Sequence, residues 1–69
     1  MGKFKNLEAE MVRCGLKNED IAGELEISSA TVRRKLNGEI GTTIEEAKRV
    51  QKLLKNKNAD FTIDFLFAE

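Results

Sequence analysis

Apolar residues recur along this chain at steps of three and four, the spacing of helices that each bury one face. Phe4, Leu7, Met11 and Cys14 form the first stripe and Gly15 stops it, so a helix is expected over about residues 5–13. Ile21, Ala22 and Leu25 share one face of a second, shorter helix beginning near Asn18, with Glu19 and Asp20 at the positive end of its dipole. A Ser28-Ser29 pair then offers an N-cap, Val32 and Leu36 lie four apart, and Asn37-Gly38 closes a third helix. Thr43 and Glu46 make a capping box ahead of a fourth stripe, Ile44, Ala47, Val50 and Leu54. Residues 55–58 are polar and read as a loop.

The last segment is ambiguous in period. Phe61-Thr62-Ile63-Asp64-Phe65 alternates as an edge strand would, whereas an N-cap at Asp60 or Thr62 puts Ile63, Leu66 and Phe67 on one face of a short helix. The helix is the favoured reading. The expected fold is therefore all-α, a bundle of four or five helices in one small domain, because 69 residues leave no room for a second. A chain of this length buries only about 60% of its unfolded surface, which makes stability modest unless the chain pairs. The five apolar residues crowded between Phe61 and Phe67 cannot all enter one small core, so Phe61, Phe65 and Phe67 are expected to supply a homodimer interface.

Composition narrows the chemistry. The chain has one Cys and no His, which removes the usual zinc ligand sets, internal disulfides, and Ser-His or Cys-His catalytic pairs. No metal, no cofactor and no enzymatic activity are expected. A lone thiol fits a reducing, intracellular setting, with Cys14 as a small core residue. No window is apolar enough for a signal peptide or a membrane helix, and the size leaves no place for a sensor of small-molecule ligands. The formal net charge of zero conceals alternation: residues 17–27 carry −3, 28–38 carry +3, 39–47 carry −3 and 48–57 carry +5. Blocks like these suit solvated helix faces, and they also allow one basic face to meet phosphate while acidic faces keep the chain soluble. The run Lys48, Arg49, Lys52, Lys55 and Lys57 is assigned to solvent.

Helices two and three are each about eight residues long and joined by about three residues, too few for antiparallel packing, so they must cross steeply as a helix-turn-helix. Close crossing needs a small residue, and Ala22 is it. With Ile21, Leu25, Ile27 and Val32 holding the angle from inside, Ser28, Ser29, Thr31, Arg33 and Arg34 face out, a surface of donors and cations without a carboxylate.

The segment NEDIAGELEISSATVRRKLNG, residues 18–38, resembles the helix-turn-helix of the phage repressor and Cro-like (XRE) family, and RKLNG followed by TTIEEAKRV resembles small phage-encoded repressors in particular. The similarity runs from about Leu7 to Leu54. It implies a lambda-repressor-like bundle whose third helix enters the major groove of double-stranded DNA, a homodimer addressing paired half-sites, and a transcriptional regulator as the function. Carried over residue by residue, it implies base contacts from Ser29, Ala30 and Arg34, and phosphate contacts from Asn18, Asn37, Thr42 and Thr43. The side chains suit those roles: Arg34 can bind guanine O6 and N7 together, Ser29 can donate or accept, and the Ala30 methyl can meet a thymine methyl. Ser28, Thr31, Arg33 and Lys35 are expected on the sugar-phosphate backbone.

Four positions depart from the family. Glu26 stands where a Gly is usual at a turn residue prone to positive φ, Lys17 occupies the usual N-cap site so that Asn18 becomes the alternative cap, and Met11 and Leu36 replace a customary Arg–Glu pair between helices one and three. The neutral charge and the Glu26 and Lys17 departures also suit a second reading, a helix-turn-helix module that binds another protein, such as an antirepressor or toxin partner.

Overall fold

The computed structural model describes residues 3–68, and the backbone there is helical with no strand. Five helices follow in order: α1 (Lys5–Cys14), α2 (Asn18–Leu25), α3 (Ser29–Leu36), α4 (Ile44–Lys55) and α5 (Ile63–Leu66). Their ends form where the side chains dictate. Gly15 takes a left-handed φ of 69° and closes α1 while Leu16 N–H donates back to Met11 O at 2.8 Å. Ser28 Oγ accepts from Thr31 N–H at 3.1 Å to cap α3. Thr43 and Glu46 exchange both bonds of a capping box at 3.1 and 3.0 Å.

Each helix contributes one fully buried side chain to a common core: Leu7, Ile21, Val32, Leu54 and Leu66. Met11 and Leu36 are both buried in that core, so α1 and α3 contribute apolar side chains to it at these positions and neither leaves a charge stranded. Ala22, the small residue of the α2–α3 crossing, is buried in the same cluster as Val32. Cys14 packs against it half-buried. Ile44 corrects the fourth stripe, being 66% exposed. Two successive three-residue steps back from Val50 carry position 44 about 120° round the helix, off the buried face.

The C-terminal segment is helical, capped by Thr62 rather than Asp60, with Thr62 Oγ1 accepting from Phe65 N–H at 3.1 Å. Two amide side chains hold it down. Asn6 Nδ2 donates to Phe65 O at 2.9 Å and Gln51 Nε2 to Phe61 O at 2.8 Å. The aromatic crowding resolves largely within the chain: Phe67 packs edge-on against Phe4 with centroids 5.1 Å apart, and Phe61 stacks on Phe65 at 4.9 Å. Phe61 and Phe67 are half-buried against the core, so of the three expected interface residues Phe65, 40% exposed, is the one left facing out.

The turn between α2 and α3 spans residues 26–28, and Glu26 within it is left-handed at φ 59°, ψ 42°, with Ile27 N–H donating to Ala22 O at 3.1 Å. A side chain at that conformation costs on the order of 1 kcal/mol relative to glycine. Glu26→Gly is therefore expected to stabilise the fold by roughly 0.5–1 kcal/mol in urea unfolding. A lower midpoint for the variant would show that the Glu26 side chain contributes something the turn geometry does not.

Candidate functional site

Helix α3 presents its polar side because its apolar side is committed. Val32 and Leu36 are buried, which sets the rotation of the helix. At about 100° per residue, Ala30 and Arg34 lie about 160° from Val32, at the middle of the outward face, and Asn37 continues that row past the helix end. Ser29, Ala30, Arg33, Arg34 and Asn37 are all exposed. Asn18, at the start of α2, lies with Arg33 and Asn37 along an open groove of about 270 Å³ that also touches Glu8 and Val12. The structure thus brings Asn18, Arg33 and Asn37 together, with Arg34 and Ala30 on the adjoining face.

Ion pairing distinguishes the two arginines of this face from the other two. Of the four arginines, Arg13 pairs with the buried Glu10 at 3.1 Å and Arg49 with Glu45 at 3.6 Å. Arg33 and Arg34 have no carboxylate partner among the described residues. Helix α3 is also the one helix of the five with no acidic residue in its first turn, where the others carry Glu8, Glu19 and Asp20, Glu45 and Glu46, or Asp64. An acid there stabilises a helix by about 0.3–1 kcal/mol, so α3 forgoes that gain and keeps its positive end bare. No family model, characterised protein or solved structure matches the chain.

Several expected phosphate contacts are engaged within the chain instead. Thr43 Oγ1 serves the α4 cap, and Thr42 is half-buried. Ser28 Oγ and Thr31 Oγ1 lie 2.8 Å apart and share one hydrogen bond, which leaves one hydroxyl proton of the pair free to donate outward. Asn18 does not act as a cap. Lys17 is the N-cap residue, and Asp20 serves it in reverse, its carboxylate accepting from Lys17 N–H at 2.8 Å, so the Asn18 amide stays available.

Lys35 departs from expectation outright. Its Nζ donates to Gly41 O at 2.9 Å and to Glu46 Oε1 at 3.1 Å, and its side chain is only 12% exposed. The helical wheel carries the reason. Position 35 lies about 60° from Val32, on the flank of the buried stripe, whereas Arg34 lies opposite. The residue reads as part of an Arg-Arg-Lys run, yet it belongs to the interior.

Glu46 is the receiving end of this arrangement. The Thr43 N–H bonded to its carboxylate holds it below the ordinary carboxylate range, against an opposing desolvation, and the Lys35 ammonium lowers it further. Because the folded-state value is depressed, the ionised Glu46 contributes stability above about pH 4.5, and that contribution disappears as pH falls through the lower folded value. Thermal unfolding of the wild type and of Glu46→Gln across pH 3–7 is expected to show a gap that narrows with acidification. A gap independent of pH would mean that the charge of Glu46 is immaterial.

Proposed function

We propose that this protein is a sequence-specific DNA-binding transcriptional regulator of the phage-repressor type, a helix-turn-helix protein in which α3 lies in the major groove. The observation that carries the reading is the exposed Arg33 and Arg34, without a carboxylate partner among the described residues, on a helix with no acidic residue of its own, while Arg13 and Arg49 are each held by a glutamate. Guanidinium groups left without partners gain most from phosphate or guanine, which they bind through two parallel hydrogen bonds. The three-residue turn and the buried Ala22 support the same reading, since a short connection and a small residue at the crossing are what a helix-turn-helix requires.

The roles divide by position. Arg34, Ala30 and Ser29 at the centre of the face read base edges. Arg33, Asn37 and Asn18 along the groove meet the phosphate backbone, joined by the free hydroxyl proton of the Ser28–Thr31 pair.

Two copies bind as a dimer on a two-fold site, with recognition helices about 34 Å apart. The chain measures 27 × 24 × 22 Å between its extremes. Neighbours at that separation meet at their rims, which suits one exposed aromatic, Phe65, rather than a broad apolar face. Such a contact is too small for a stable dimer in solution, where about 800 Å² per partner is usual, so pairing belongs to the DNA-bound state.

Selection from a random duplex pool tests the function, and the symmetry of the recovered site reports the number of copies bound. Against that site, Arg34→Ala is expected to remove about 1–3 kcal/mol of preference over random duplex, whereas Arg33→Ala weakens binding to all duplexes alike and lowers the salt slope by about one. Failure to enrich any sequence, together with no salt-dependent binding to duplex at low ionic strength, would overturn the function. Equal losses on selected and random duplex for both variants would refute the division of roles.

A further inference from the structure

The contact between α3 and α4 is made in an unusual way. The α3 backbone comes close to α2, but not to α4. Val32 and Leu36 of α3 share the apolar core with Val50 and Leu54 of α4, and the polar link between the two helices is the Lys35 side chain, which lines a small cavity with Val32, Leu36 and Thr42. Its ammonium lands on two acceptors at once, Gly41 O in the intervening loop and Glu46 Oε1 on α4. The same Glu46 oxygen accepts from Thr43 N–H at 3.0 Å. A single carboxylate oxygen therefore ties the end of α3 to the cap of α4, with the loop carbonyl held by the same cation.

We propose that Lys35 and Glu46 form a positioning clamp: the core sets the rotation of α3, and the clamp fixes the C-terminal end of the helix, with Arg34 on it, against the Thr42–Thr43 loop and the start of α4, so that Lys35 governs discrimination among DNA sequences without touching DNA. The proposal rests on the DNA-binding reading above. Burial supports it from both sides, because the two side chains are 12% and 22% exposed, so the pair is partly shielded from the screening that weakens surface ion pairs. Chemistry supports it as well. An ammonium has three donors, two of which are used here in fixed directions, so the clamp constrains orientation as well as separation. A lysine at the flank of a buried stripe with its head already bound has little to offer a phosphate.

The test compares Lys35→Met, which keeps the stem and removes the ammonium, with Glu46→Gln, which keeps the cap acceptor and removes the charge, and with the double variant. Helix content by circular dichroism establishes that each is folded; should Lys35→Met unfold, Glu46→Gln carries the comparison alone. Each single variant is expected to lose roughly three- to thirtyfold in affinity for the selected duplex, with affinity for random duplex and its salt slope unchanged. The double variant is expected to be no worse than the singles, as for two ends of one contact. A merely structural role would lower stability without altering the ratio of selected to random binding, and that result overturns the clamp. A salt slope reduced by about one in Lys35→Met also overturns it, because it marks a direct phosphate contact. If the wild type binds no duplex, both the function and the clamp fall; if it binds and the variants discriminate as it does, the clamp alone falls.

Discussion

Everything the surface of this protein offers depends on how α2 and α3 are pressed together. Ile21 and Ala22 from one helix and Val32 and Leu36 from the other are buried in a single cluster, and once they are, the rotation of α3 is settled. Burial of each large apolar side chain contributes on the order of 1.5–3 kcal/mol, far more than any surface charge pair can set against it. Arg34 points outward as a result of where Val32 must go. The cost of the geometry falls on the turn, where Glu26 is held in a left-handed conformation that its side chain disfavours.

Charge is apportioned on top of that packing with some economy. The acids at the starts of α1, α2, α4 and α5 support their own helices, and Asp20 and Glu46 also close caps. Glutamates hold Arg13, Lys35 and Arg49. The face of α3 is excluded from this system of internal partners. A net charge of zero is thus the sum of separate acidic and basic blocks, with residues 28–38 carrying +3, and local imbalance of that kind is what a polyanion responds to.

Most of the helical architecture was legible in the residues, because caps and stripes are local features. Gly15, Ser28 and the Thr43–Glu46 box act where their chemistry requires, and the period of Val32 and Leu36 was enough to place Arg34 and Ala30 outside. What was not legible is what depends on distance in the chain. Lys35 looks like the third member of a basic run until its angle to Val32 is considered, and even then its acceptors, six and eleven residues on, come from tertiary placement. The same holds for Asn6, which reaches Phe65 across the whole chain, and for Phe4, whose ring packs edge-on against Phe67 and half-buries it. Ile44 was misplaced for a simpler reason: steps of three drift round a helix, and a stripe read in threes leaves the buried face after two of them.

The most direct test of the central claim is a titration of the isotopically labelled protein with a short duplex at low salt, following backbone amide resonances. The account expects the largest changes at Ser29, Ala30, Arg33, Arg34 and Asn37, with Lys48, Lys52 and Lys55 on α4 left nearly unmoved. Changes centred on α4, or none on α3, would contradict it.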